Sequence, residues 1–462
     1  MFAKINFHDE FYQKLKLLVL PITMQQFMLA LVSATDAIML GAVSQTSLSA
    51  VSLAGQIQFV LNLFISGISA GSGIMAAQYW GKKDAASIEE VMPIALRTNL
   101  IFSGAFTVFA AVAPEVLMRI FTSDPALIES GAVYLRAVSL SYLLCGISQI
   151  YLILLKNTGY ATVSSRISCT AVVVNIICNA ILIYGLLGLP ALGIQGAAYA
   201  TVAARLVELI WSYLETKQSG RVQIIWKKMF RAADAVLTKD FWRYTTPVLG
   251  AALVWGIAYV SYSVIMGHMG SDAVAANSIT TIAKNMLSCL IRGVSGGAGV
   301  LIGNLLGAGE LDKAKVYGGR LTRMAIVVGM TTGGLLMLIS PLIARAAVVE
   351  KDFSKIQETA AEYLQYMLIF CGCNIMAQSV NTTVLDGIFC AGGDSKFDMK
   401  GNLGAMWCFS VPFGFFAAFV LKWPVMVVYC IVNLDEIVKI PAVYLHYKKY
   451  IWVRNITVQE EA

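Results

Sequence analysis

Charge is what this sequence has least of. Asp, Glu, Lys and Arg supply 13% of its 462 residues, against roughly a quarter in soluble domains. A water-soluble fold so short of charge would expose an apolar surface and self-associate, so a soluble globular protein is excluded. Histidine is rarer still, and His8, His268 and His446 form no cluster. No Gly-rich phosphate loop, zinc-ligand spacing or nucleophile motif occurs. An ATPase or other enzyme is therefore not expected, and neither is a cofactor. The N-terminus has no small-residue cleavage site, and its first apolar stretch is too long for a secretory leader. Basic residues are scattered over many short connections without forming one patch, which argues against a nucleic-acid partner. The nine cysteines lie in or beside apolar stretches. Cys371 and Cys373 form a lone C-x-C that reads as two small core residues, and no disulfide or metal site is expected.

What the chain has in abundance is apolar sequence, 58% of it. A helix crossing a hydrocarbon core of roughly 30 Å needs about 20 mainly apolar residues. Twelve such stretches begin near Leu15, Leu48, Val91, Tyr134, Ile167, Gly193, Thr245, Val274, Thr322, Tyr363, Gly401 and Trp423. They use up nearly the whole chain, so the expected fold is an all-α integral membrane protein of twelve transmembrane helices. Lys and Arg concentrate in alternate connections, as in Lys82 and Lys83, Lys156 and Arg166, Lys217 to Arg243, Lys313 to Arg323, and Lys396 and Lys400. The remaining connections hold few, among them Arg119, Arg136, Arg345, Lys351 and Lys355. By the positive-inside bias both termini are expected in the cytoplasm, with the chain a multi-pass protein of the cell (plasma) membrane.

The chain also repeats itself at an offset of 226 residues. Gly67, Ser69, Gly71, Gly73 and Gly81 fall on Gly293, Ser295, Gly297, Gly299 and Gly307, while Pro21 falls on Pro247 and Gly41 on Gly267. Two pseudo-symmetric six-helix lobes follow: residues 1–215 with helices 1–6, and residues 243–462 with helices 7–12 and a short cytoplasmic tail. A basic linker, 216–242, joins them in the cytoplasm. An even number of helices gives both lobes the same orientation, an arrangement suited to alternating access around a central site. With no ATPase motif, the energy for transport is expected from an ion gradient. A monomer is expected.

Ionisable groups inside such helices cost roughly 2.5–3.5 kcal/mol on insertion scales, so those retained are functional candidates. Asp36 stands deep in the first span, with hydroxyls such as Ser33 and Thr35 beside it. It reads either as a hydrogen-bonded structural carboxylate or as a proton or sodium site. Asn175 and Asn179, one turn apart, project from one face of the fifth span and can ligate a cation or pack helices together. Arg205 with Glu208 in the sixth span, and Asp435, Glu436 and Lys439 in the twelfth, read as interfacial ion pairs. Lys284 and Arg292 in the eighth span suit either structural pairing or an anionic group. The aromatics Phe27, Phe59, Phe64, Tyr151, Trp255, Tyr259 and Tyr262 can line a cavity and receive a flat cation, or simply pack.

Taken in order, several stretches resemble the multidrug and toxic compound extrusion (MATE) family. They are Thr35–Gly41 (TDAIMLG), Ala77–Gly81 (AQYWG), Asn175–Gly185 (NIICNAILIYG), Gly193–Thr201 (GIQGAAYAT), Ala391–Asp394 (AGGD) and Trp407–Pro412 (WCFSVP). The resemblance covers essentially the whole chain. It implies a cation-coupled antiporter that exports cationic or amphipathic organic compounds in exchange for protons or sodium. It also implies a coupling site at Asp36, Asn175, Asn179 and Thr201, with sodium possible at Asp36. The family's fifth-span asparagine and aspartate fall on Asn175 and Asn179, so its second acid after Asp36 is an amide here. A seventh-span glutamate and a tenth-span aspartate used by one branch fall on Trp255 and near Ser379, and Asp386 is the acid nearest to the latter. The alternative is a lipid or polyprenyl-linked precursor flippase of the related fold.

Overall fold

The structure, a computed structural model, describes residues 9–231, 234–349 and 358–458; His8, Lys351 and Lys355 lie outside them. Among the described residues every regular element is helical. Twelve membrane helices follow one another. The first six are α1 (Glu10–Val43), α2 (Gln45–Gly81), α3 (Ala85–Val112), α4 (Pro125–Asn157), α5 (Ala161–Tyr184) and α6 (Gly193–Thr216). The next three are α7 (Ala235–Gly267), α8 (Ser271–Gly307) and α9 (Leu311–Val349). Helix α10 runs Glu358–Thr382 and continues as a π-helical turn over Thr383–Phe389, α11 spans Ser395–Val420, and α12 joins Val425–Val432 to Asp435–Tyr447. Several start before the apolar stretches that announce them, because helix continues into the polar edge of each span. The seventh begins at Ala235, so its first two turns lie within the 216–242 stretch.

Ten of the twelve are long and apolar enough to cross a bilayer on length and composition alone. The other two are α6 and α12, whose charged groups lower their apolarity. Helix α6 carries Arg205 and Glu208 in its middle, and α12 breaks at Asn433 and Leu434 beside Asp435, Glu436 and Lys439.

Local chemistry sets the helix ends. Ser44 accepts from the Ser47 amide at 3.0 Å and Asp84 from Ser87 at 3.1 Å, each satisfying a donor that the first helical turn leaves free. The turn after α2 places Lys83 in the left-handed region (φ 63°), and the matching turn after α8 puts Gly309 there (φ 79°). Those two positions are 226 residues apart, so the repeat extends to backbone conformation, with glycine easing the second copy.

Packing divides the chain into two compact units: unit 1 is Met1–Thr23 with Gly250–Ala462, and unit 2 is Met24–Leu249. The lobes follow covalent order, whereas these units follow contacts, and the difference lies at the starts of α1 and α7. Each helix changes unit two residues after its proline, Pro21 or Pro247, where the ring removes a backbone hydrogen bond and crowds the preceding turn. Phe11, Leu15 and Val19 accordingly sit in the core of unit 1 with Leu301, Leu305, Phe389 and Trp452. Asp9, just ahead of α1, accepts from the Phe11 amide at 3.1 Å and from Arg320 at 2.5 Å. Both bonds hold its carboxyl below the usual range.

Glycine makes these seats. A methyl added at Gly67 would lie 2.8 Å from the Leu249 Cα, and one at Gly71 would lie 2.7 Å from the Thr245 Cα. The same offset relates the seats in unit 1, where Gly293 meets Thr23 and Gly297 meets Val19. Gly71→Ala is expected to destabilise unit 2 by about 1–3 kcal/mol, the usual cost of overpacking against backbone. Gly55→Ala on the same helix, where nothing lies within 4 Å, is expected to leave thermal unfolding in detergent unchanged. Equal melting of the two variants would remove the seat.

Candidate ion-coupling site

The site is built in unit 2 by α1 after its proline, α5 and α6. Three side-chain bonds hold α1 to α5 in register. Gln25 donates to the Ser168 hydroxyl at 2.8 Å, Asn179 Nδ2 donates to Asp36 at 2.5 Å, and the Tyr184 hydroxyl donates to the Met39 carbonyl at 3.1 Å. The pairs are 143 to 145 residues apart, a nearly constant offset that means two parallel helices. Helix α6 comes close to the end of α5 because Gly196 has no side chain; a methyl there would lie 2.6 Å from the Leu182 backbone. Small residues at such crossings let helices in lipid approach.

That close approach completes a chain of polar groups across three helices. Asn179, fully buried, also donates to Asn175 Oδ1 at 3.2 Å, and Asn175 donates to the Thr201 hydroxyl at 3.4 Å. Thr201 in turn donates to the Ala197 carbonyl at 3.0 Å. Asp36 is thus bonded to another helix; the Ser33 side chain lies outside the described residues. One atom is left over. The Asn179 Oδ1 is buried and accepts no hydrogen bond, and it belongs to the same amide that holds the carboxylate. A carboxylate beside an open amide carbonyl is an acceptor-only pair, suited to a proton or a hard monovalent cation. Among the described residues no three His, Cys, Asp or Glu side chains converge on a metal position.

The remaining residues singled out in the sequence are distributed over both units. In unit 2, Phe27 is half-buried on α1, and Phe64 stacks on Phe102 with ring centres 4.7 Å apart. Tyr151 is buried, and its hydroxyl accepts from Trp226 Nε1 of the linker at 2.7 Å. In unit 1, Trp255 stacks on Tyr259 one turn later at 5.5 Å. Tyr262 lies further along α7, within electrostatic reach of Asp435 and Glu436. Arg292 is exposed on α8 and forms no ion pair among the described residues, while Lys284 donates to Asn374 at 3.3 Å.

Both charge groupings singled out in the sequence are ion-paired. Arg205 and Glu208 pair at 2.8 Å, and Glu208 is buried in the middle of α6, where Ser148 and Gln149 of α4 also donate to it at 2.7 and 3.3 Å. Lys439 pairs with Glu436 at 3.0 Å and Asp435 at 3.6 Å; Lys439 and Asp435 are buried and Glu436 is half-buried.

Comparison with known proteins adds to this geometry. The MatE family model matches residues 21–181 and matches again over 247–416. One model fits each half, starting at the two prolines, with the same shift that superposes the glycines. The chain belongs to the MATE family. Among relatives, it is 22% identical to the uncharacterized transporter YisQ of Bacillus subtilis, over 91% of this chain and 90% of that one. It is 24% identical to a probable multidrug resistance protein NorM of Bacillus cereus, over 89% and 90%. Solved MATE folds superpose closely. A MATE transporter in complex with MaD3S gives a TM-score of 0.84 at 17% identity, covering 95% of this chain and 96% of that one. A MOP-superfamily transporter from Pyrococcus furiosus, described as having a binding pocket of reversed polarity, gives 0.82 at 17% identity, with 95% of each chain covered.

MATE transporters form a multidrug efflux family, so this chain is a multi-pass membrane transporter of that family. Trp255 and Ser379, on or near which the resemblance sets one branch's acids, both lie in unit 1, and Ser379 is buried with its hydroxyl donating to the Ala325 carbonyl at 2.7 Å. Sequence reasoning missed a different polar network. Lys439 donates to Asn402 Oδ1 at 3.1 Å, Asn402 donates to Asp398 at 3.0 Å, and Asn381 donates to Glu436 at 2.8 Å. Asp398 escaped notice because the apolar stretch starts near Gly401, whereas α11 starts at Ser395 and buries Asp398. The signal was there in the four-residue spacings of Asp398 to Asn402 and of Asp435 to Lys439, each of which puts a pair on one helix face.

Proposed function

We propose that this MATE-family chain is a secondary active efflux antiporter, exchanging cationic or amphipathic organic compounds for protons or sodium ions by alternating access. The observation that carries this reading is Asp36 inside a span, bonded at 2.5 Å to an amide whose own carbonyl accepts nothing. Asp36 takes up the coupling cation, Asn179 and Asn175 orient it, and Thr201 anchors the far end of the chain. Cation binding discharges the carboxylate and so lowers the cost of holding it in an apolar surrounding. A ligand that binds one conformation better than another shifts the balance between them, which is how an ion gradient can drive export.

Cationic substrates suit aromatic faces that each unit carries for itself: Phe27 and Phe64 in unit 2, and Trp255, Tyr259 and Tyr262 in unit 1. Tyr151, held by the linker, has no free face to offer. The chain works as a monomer in the cell membrane with both termini in the cytoplasm, and without a cofactor.

Purified protein in liposomes, with proton and sodium gradients imposed separately, tests the reading. Accumulated cationic dye is expected to leave against its own gradient when either ion gradient is applied in the exchanging direction. Gradient-independent scrambling of labelled lipid, without dye movement, would replace the antiporter with a flippase.

A further inference from the structure

Much of the charge on the linker between α6 and α7 is satisfied within unit 2. Lys217 lies over the Tyr213 ring at 4.7 Å, and Arg221 lies over the Tyr160 ring at 4.3 Å while pairing with Glu215. Lys228 pairs with Glu90 of α3 at 2.6 Å. The linker's apolar residues are used in the same way. Val222, Ile224 and Met229 are buried, and the single helical turn Trp226–Met229 packs on α3. With Trp226 also bonded to Tyr151, this segment is held against the first turns of α3 and the last turns of α4.

Two of its cations are left over. Lys227 and Arg231 are exposed, and among the described residues neither side chain forms an ion pair or hydrogen bond. Between them stands Phe230, 84% exposed. Lysine and arginine flanking an open phenyl ring are the make-up of a segment that lies in a membrane interface, with the ring among acyl chains and the charges at the headgroups.

A third cation stands on α3 itself. Arg97 is exposed and likewise without an ion pair or hydrogen bond among the described residues. It follows Glu90 by two turns on the same helix face, about 10 Å further along the axis. Beyond it the stripe continues as Ile101, Ala105, Val108 and Val112, all exposed and all apolar. Helix α3 has 28 residues and is about 42 Å long, more than a hydrocarbon core of roughly 30 Å. Its opening turns, with Glu90, therefore stand among headgroups, and the long side chain of Arg97 can reach back to them. The nearby acids do not cancel these cations. Glu90 is already neutralised by Lys228, and Glu89 is turned about 100° away from that face. What an unpaired arginine at the head of an acyl-facing stripe can meet is a phosphate, whose oxygens its planar fork matches.

We propose that Arg97, Lys227 and Arg231, with Phe230 as an apolar anchor, form a binding site for an anionic phospholipid. Its headgroup lies against the three cations and its acyl chains run along the α3 stripe. The site goes beyond the antiport reading and does not depend on it, since no export is measured in its test. Native mass spectrometry of the full chain, released from micelles holding equal amounts of phosphatidylglycerol and phosphatidylcholine, reads it. Wild type is expected to retain phosphatidylglycerol preferentially. Arg97→Gln should lower that preference about fivefold, the equivalent of the roughly 1 kcal/mol a basic residue gains at an anionic surface. Arg97→Gln/Lys227→Gln/Arg231→Gln should erase it. Arg119→Gln removes an exposed cation between α3 and α4, at the opposite end of unit 2, and should leave the preference as in wild type. Excess inorganic phosphate should not displace the lipid, because it offers nothing to the apolar stripe. Equal retention of both lipids by wild type, or a triple variant that keeps the preference, overturns the proposal. So does an Arg119→Gln loss as large as that of Arg97→Gln, or displacement by phosphate, which would make this a site for free anions.

Discussion

Asp36→Asn is expected to reduce gradient-driven efflux to the level of empty liposomes while leaving expression and folding intact. The substitution keeps the shape of the side chain and an oxygen to accept from Asn179, so the 2.5 Å link between α1 and α5 has a near-equivalent. What it removes is the change of charge. A neutral amide neither takes up a proton nor attracts a cation, so neither conformation gains from the gradient. Stability should hold or rise, because an ionisable group in a span costs roughly 2.5–3.5 kcal/mol that the amide does not. The measurement is dye efflux from liposomes beside a melting curve of the same preparation. Efflux at the wild-type rate would take the coupling role away from Asp36; a collapsed melting temperature would make the carboxylate structural.

The second large effect concerns stability. Arg205→Met leaves Glu208 buried with only the neutral donors Ser148 and Gln149. Removing one partner of a buried ion pair costs about 3–5 kcal/mol, since the other charge stays behind uncompensated. Arg205 keeps a side-chain exposure of 20% against 3% for Glu208, so water relieves the arginine more than the acid. Glu208→Leu alone is accordingly the milder change. Arg205→Met/Glu208→Leu removes both charges and should recover most of the loss, because apolar replacement of a whole buried pair is often neutral or better. Thermal unfolding of the two single variants and the double variant forms a complete cycle. Additive losses would show that the two residues act separately.

The fold was largely legible because lipid leaves the sequence few options. Every span must satisfy its backbone internally, so a run of about 20 apolar residues is read as helix with little competition. The spans that strained this rule, α6 and α12, carry ion-paired charge along their length. Asp36, Asn175, Asn179 and Thr201 were legible as separate polar intrusions, and the structure joins them by hydrogen bonds. The unit 1 network was not legible. Its members come from α10, α11 and α12, and hydropathy places Asp398 in a loop and Asp435 at a membrane edge. Only contact between helices shows that they face one another. The open carbonyls of Asn179 and Asn381 are likewise invisible in sequence, being facts about what a side chain fails to touch.

The seating of α1 and α7 bears on whether half of this chain could stand alone. Each compact unit needs the opening turns of a helix whose remainder belongs to the other. A six-helix half made alone would therefore present an empty glycine notch and a stray leading segment. Two identical halves would cure both defects by lending each other that segment; in this chain the lodger is Thr245 in one notch and Val19 in the other.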